Sequence, residues 1–204
     1  MNFGLVSIGS HTGFWLKEEI EKQAGKILLI EPVKHNLDEL RQNVKNNKNV
    51  IIEECAITNR DQIKEFYYVK HSSVVKLKKH WASGIGSFNK MHILNHKRKN
   101  FQIEENDIET VNINCLSFKS LVEKYKIEKI NKLIIDVEGA EYEILKSIDY
   151  NLITINQIMF EKKHFDNTFF EGPKLKETKK MLLNFNYRLK DLDKENILAT
   201  KNYL

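Results

Sequence analysis

The order of apolar and polar residues along the chain switches between two periods. Residues 3–8 (FGLVSI), 26–31 (KILLIE) and 49–53 (NVIIE) are short, nearly continuous apolar runs, the pattern of strands buried on both faces. Between them the apolar positions take helical spacing. Phe14, Leu16 and Ile20 fall in a helix expected from about Gly13 to Ala24, with Gly25 as its stop. Pro32 opens a second helix, with Leu37, Leu40 and Val44 on its inner side. A strand–helix–strand–helix–strand order predicts a parallel sheet with right-handed crossovers.

The second half continues the pattern. Residues 132–136 (KLIID) predict a strand, 139–148 a helix with Ala140, Ile144, Leu145 and Ile148 inward, and 153–160 (ITINQIMF) another strand. A helix near 174–184 follows, and then strands at about 185–190 and 196–201, joined as a hairpin by a turn at Asp193-Lys194. The expected fold class is α/β, a mostly parallel seven-stranded sheet that ends in an antiparallel hairpin. The middle is less regular. Residues 64–70 read as a strand, 82–88 (ASGIGSF) as a small-residue loop, 89–98 as a short helix, and 108–114 as an antiparallel or edge strand. Ser117 is placed to cap a helix carrying Phe118, Leu121, Val122 and Tyr125 on one face. Residues 1–204 are expected to form one domain, with 64–114 as an insert that serves as its lid.

Composition narrows the class. No apolar run approaches the ~20 residues that span a membrane, and Met1 leads almost directly into the first strand, without a signal-peptide pattern. Cys55 and Cys115 lack a CxxC partner, which argues against a zinc site or a disulfide and fits a reducing cytoplasm. The net charge of +5 is spread among interleaved acids, as on solvated helix faces. The exception is residues 76–99, which hold Lys76, Lys78, Lys79, Lys90, Lys97, Arg98 and Lys99, with Trp81 and Phe88 and no acid. That stretch suits an anionic acceptor or RNA, although no RNA-binding motif accompanies it.

Chemistry concentrates where strands end. In VSIGSHTG, Gly9 and Gly13 clear the strand-to-helix turn for a nucleotide-like group, or simply make a tight turn. The G-x-G-x-x-G dinucleotide fingerprint lacks its second glycine here, which disfavours NAD or FAD. The G-x-x-x-G turn instead suits the amino-acid end of S-adenosyl-L-methionine. Glu31 ends the next strand, where an acid accepts from both ribose hydroxyls; the alternative is a surface glutamate before Pro32. Cys55, Ala56 and Ile57 wall an adenine or belong to the core. Asp136 ends the most apolar strand and faces the crevice, since burial unpaired is costly. Glu138 and Glu141 follow in the first helical turn, and capping is the preferred role of Glu141. In MFEKKH, Glu161 and His164 form a candidate general-base pair. His35, His71 and His80 form no constellation, and no metal-ligand spacing is evident, so metal independence is expected.

The segments IGSHTGFW, LLIEP, CAI at 55–57, ASGIGSF at 82–88, LIIDVEGAEYEILK and MFEKKH together resemble the FkbM-type family of S-adenosyl-L-methionine-dependent methyltransferases. The resemblance implies a class I (Rossmann-like) methyltransferase fold, with helices on both faces of seven strands. Ser7 stands where such enzymes often carry an acid, and the start is short, which leaves the cofactor more exposed or covered by a partner subunit. The expected activity is methyl transfer to a hydroxyl of a sugar or other polar small molecule. Gly9, Ser10, His11 and Gly13 are assigned to the methionine end of the cofactor, Glu31 to the ribose and Ala56 to the adenine edge. Asp136 is assigned to the junction of cofactor and acceptor, Glu161 or His164 to the base, and Ser83, Ser87 and Glu138 to the acceptor. The alternative is a non-catalytic, RNA-associated module that binds an adenosyl cofactor.

Overall fold

The computed structural model describes residues 1–96, 102–165 and 171–203. Its strands are β1 (Asn2–Ile8), β2 (Lys26–Ile30), β3 (Val50–Glu53), β4 (Ala56–Thr58), β5 (Gln62–Val69), β6 (Ile108–Ser117), β7 (Lys129–Ile135), β8 (Thr154–Glu161), β9 (Tyr187–Asp191) and β10 (Asn196–Lys201). The helices are α1 (Lys17–Glu21), α2 (Lys34–Val44), α3 (His71–Leu77), α4 (Lys90–Leu94), α5 (Phe118–Tyr125), α6 (Glu141–Ser147) and α7 (Pro173–Asn184). No helix among the described residues is long and apolar enough to cross a membrane.

A seven-stranded sheet has the order β3-β2-β1-β7-β8-β10-β9. It is parallel from β3 to β8, and β10 runs antiparallel to both β8 and β9. The apolar runs explain the layering. Leu5, Ile27, Leu29 and Ile134 pack on one face with Leu16, Ile20, Leu37 and Leu40. The alternate residues Val6, Ile8, Leu28, Ile30, Leu133 and Ile135 pack on the other with Phe118, Leu121, Ile144, Leu145, Leu175 and Leu182. Period-two alternation between two buried faces produces the continuous hydrophobicity of these strands. The expected α/β sheet, its terminal hairpin and helices on both faces are all present.

The middle of the chain builds a second, three-stranded sheet, β4-β6-β5. β6 is its centre, antiparallel to β5 and parallel to β4, so the strand expected at 108–114 is longer and not an edge. β4 and α3 are additions to the expected elements; a three-residue strand and a single short helix carry too little periodicity to be read. The helix expected over 89–98 is α4 alone, and residues 97–98 lie outside the described residues. The helix expected over 13–24 is a 3₁₀ turn, Phe14–Leu16, followed by the five residues of α1. Only Leu16 and Ile20 supply a buried stripe there, and Phe14, expected inward, is 76% exposed.

Two loops at the carboxyl edge of the sheet fix the cleft. Gly9 (φ 82) follows β1, and a Cβ there would lie 1.7 Å from the Asp136 carbonyl oxygen, so only glycine lets β1 and β7 end side by side. After β7, Glu138 (φ 56) and Gly139 (φ 108) turn the chain into α6. The buried Glu141 carboxylate holds that turn by accepting from the amides of Val137 (2.9 Å) and Gly139 (3.0 Å). Burial pushes its carboxyl up to about 8, against the pull of the Val137 amide and of its own backbone amide. Glu141, expected to cap the helix, instead braces the turn ahead of α6, which has no side-chain cap.

Gly9→Ala should cost about 2 kcal/mol or more, from left-handed strain plus backbone overlap, lowering Tm by about 4–8 °C in thermal denaturation. Gly25→Ala, with 3.4 Å to its nearest neighbour, should be nearly neutral in the same measurement. Glu141→Ala strands two amides and should cost about 2 kcal/mol or more, whereas Glu143→Ala on the exposed side of α6 should shift the unfolding midpoint by less than about 0.5 kcal/mol.

Candidate active site

A cleft of about 790 Å³ opens above the carboxyl ends of β1, β2 and β7. This is the point where the crossovers from β1 go in opposite directions, and in open α/β sheets ligands bind there. The sheet supplies Gly9, His11, Glu31, Asp136 and Glu138, the β8 end supplies Lys163 and His164, and the opposite wall comes from the middle segment, with Trp81, Ser83, Phe88, His92 and His96. Ala56, with Cys55 and Ile57, closes one side. Cys55 and Ile57 also belong to the main core, so both readings of that tripeptide hold at once.

Glu31 is 4% exposed and organises the floor. Its Oε2 accepts from the His11 amide (2.9 Å), and its Oε1 accepts from the Val33 amide and from Asn36 Nδ2 (both 3.1 Å). Burial raises its pKa, and these three donors counter the rise. Asn36 also donates to the Ser83 carbonyl (2.9 Å). Ser83 Oγ donates to the His80 carbonyl (2.8 Å), so His11 Nε2–H must be the donor in the 2.6 Å bond between His11 and Ser83 Oγ. Burial, with His35 nearby, lowers His11 to about 4, which keeps it neutral.

Three carboxylates crowd the other side. Asp136, Glu138 and Glu161 each place an oxygen within 4.8 Å of the others. Burial raises Asp136 to about 7 and Glu161 to about 9, helped in both cases by neighbouring carboxylates. Glu138 moves the other way. Burial opposes its ionisation, but the hydrogen bond from His92 and the nearby His164 and His96 lower its pKa. Lys163 reaches Glu195, 2.9 Å away. Burial lowers His164 to about 4, although Glu138 counters the shift.

Of the residues expected at the site, Gly9, His11, Glu31, Ala56, Ser83, Asp136, Glu138 and His164 line the cleft. The other four do not. Ser10 is fully buried, donating to the Ser7 carbonyl (3.1 Å) and accepting from the Ile30 amide (3.1 Å), so its hydroxyl braces β1 against β2. Gly13 makes room for Leu40, whose Cδ1 lies 2.5 Å from where a Cβ would sit. Ser87 Oγ donates to the Glu138 carbonyl (3.3 Å) and steadies that turn. Glu161 sits behind the lining, its Oε1 4.0 Å from His164 Nε2. The expectation of no metal-ligand constellation also needs correction: His92, His96, Glu138 and His164 offer ligand atoms that all lie within 4.8 Å of one another. The H-x-x-x-H spacing of His92 and His96 was the available signal, because it puts both on one side of a helical turn.

The fibrillarin pre-rRNA processing protein of Methanococcus jannaschii superposes with a TM-score of 0.50 at 12% identity, over 98% of this chain and 66% of that one. Aeropyrum pernix fibrillarin with natively bound S-adenosyl-L-methionine gives 0.49 at 12% identity, over 97% of this chain and 65% of that one. The O-methyltransferase of Bacillus cereus in complex with SAH gives 0.48 at 11% identity, over 98% and 74%. The chain thus spans about two thirds of the length of the two fibrillarins. No curated protein is significantly similar to it in sequence. The methyltransferase FkbM domain matches residues 7–189, and the chain belongs to that family of methyltransferases.

Proposed function

We propose that the cleft transfers a methyl group from S-adenosyl-L-methionine to a hydroxyl of a sugar or other polar small molecule. The observation that carries this reading is the convergence of Glu31 and Asp136, from two strand ends, on one cavity of about 790 Å³. The residues fit the cofactor. An ionised carboxylate has roughly four acceptor positions, and Glu31 uses three, so one remains for a ribose hydroxyl. Gly9 keeps the mouth of the turn bare, and Ala56 offers a small apolar wall for the adenine. When bound, the cofactor supplies an already activated methyl group.

The chain's part is to hold the acceptor in line, exclude water and accept one proton. Asp136 lines the cleft between the glycine turn and the wall bearing Ser83, and we assign it the proton. Glu161 lies behind the lining and His164 packs against Glu138, which makes them positioning residues. The middle segment covers the acceptor. Its aromatics Trp81 and Phe88 line the cleft, which favours a small polar acceptor over an RNA laid across the outside.

Calorimetric titration with S-adenosylhomocysteine should show binding that weakens at least about tenfold in Glu31→Ala, the loss of a charge-assisted hydrogen bond, while NAD⁺ gives no heat. Absence of binding to the wild type would overturn the reading. With a panel of hydroxylated sugars as acceptors, Asp136→Asn should slow methyl transfer by about 10²–10⁴-fold and leave adenosylhomocysteine affinity within about tenfold. Salt-dependent RNA binding without transfer to any small hydroxyl compound would instead favour the RNA-associated alternative.

A further inference from the structure

Four side chains on the acceptor side of the cleft form a donor set that methyl transfer does not require. His92 is on α4, and His96 follows one turn later; Glu138 is in the β7–α6 turn; His164 follows β8. Their rings pack against one another, with centroids 4.7 Å apart for His92–His164, 4.8 Å for His92–His96 and 5.6 Å for His96–His164. His92 Nε2 lies 2.8 Å and His164 Nε2 3.5 Å from the same carboxylate oxygen, Glu138 Oε2. Imidazole nitrogens bind zinc at about 2.0–2.1 Å, so donors around one ion stand roughly 3–3.5 Å apart. The separations to Glu138 Oε2 are already close to that.

We propose that His92, His96, Glu138 and His164 bind one divalent first-row transition-metal ion, of the zinc, iron(II) or manganese(II) class, on the acceptor side of the cleft. Three independent features support the site. First, the donor chemistry is selective, since imidazoles with one carboxylate suit this class of ion better than magnesium or calcium. Second, His96 Nδ1 lies 2.8 Å from the His92 carbonyl, which can only accept. The proton is therefore on Nδ1, and Nε2 carries the lone pair, the arrangement by which backbone carbonyls orient metal-binding histidines. Third, acids outnumber the nearby cation Lys163, which is itself paired with Glu195. Asp136, Glu138 and Glu161 crowd within 4.8 Å, and Glu161 Oε2 is buried with no hydrogen-bond partner. A buried carboxylate oxygen without a donor lacks a partner that a cation held beside Glu138 would supply.

All four donors line the cleft, so an ion has an entry path from solvent. An octahedral ion held by four protein donors keeps two positions for oxygen ligands. Binding displaces the His92–Glu138 hydrogen bond and leaves each imidazole neutral, as metal ligation requires. The proposal stands apart from the identity of the methyl acceptor and needs no turnover to test.

The experiment uses tag-free full-length protein stripped with a chelator and titrated calorimetrically with zinc ions alone, then with manganese(II) alone. One ion per chain should bind, raise Tm, and bind at least about tenfold more weakly to His92→Ala and to His96→Ala. His80→Ala, outside the cluster, should match the wild type. No stoichiometric binding, or affinity equal in all four proteins, overturns the site. Should either histidine variant fail to fold, cobalt(II) absorption of the wild type decides: visible bands that saturate at one equivalent support the site, and a featureless titration refutes it.

Discussion

The cleft depends on one buried carboxylate. Glu31 ends β2 with its charge almost fully removed from water, and it stays there because three donors converge on it. An unpaired carboxylate at that depth would cost several kcal/mol. The donors come from three places: the glycine turn after β1, the approach to α2, and Asn36 within α2. Asn36 carries the constraint onward to the Ser83 carbonyl. The floor of the cleft and its opposite wall are thus joined through a few hydrogen bonds, while the sheet below is held by non-directional packing on both faces.

The two halves of the cleft have opposite electrostatic character. On the Glu31 side a single negative charge is matched by oriented dipoles, and the neighbouring His11 is kept neutral. On the Asp136 side several acids share a small volume with three imidazoles, and the acids respond differently to it. Glu138, facing the histidines, stays ionised more readily than Asp136 or Glu161. The cleft is asymmetric, with oriented dipoles around one acid at one end and clustered acids and imidazoles at the other.

Much of the fold was readable because burial on both faces makes a strand uniformly apolar, as in KILLI and KLII, and because Ser117 caps its helix as its position suggests. The single short elements were not, since β4 and α3 contain too few residues for a period to repeat. At the site, strand ends marked Glu31 and Asp136, but the direction of a side chain is not written in the sequence. Ser10 and Ser87 have the right chemistry and turn it inward to brace loops. His92 and His96 had a readable spacing, yet their convergence with Glu138 and His164 exists only after β7 and β8 have been laid side by side and α4, packed on β5, has been brought over their ends. Contacts of that kind belong to tertiary topology, not to local pattern.

Asn36 has consequences beyond its local bonds. Its one amide nitrogen donates both to Glu31 and to the Ser83 carbonyl, and Ser83 in turn receives His11 from the glycine turn. A ligand that takes the acceptor position left on Glu31 meets the same carboxylate that Asn36 ties to the far wall. The floor and the far wall of the cleft thus share one side chain, and a change at Asn36 reaches both.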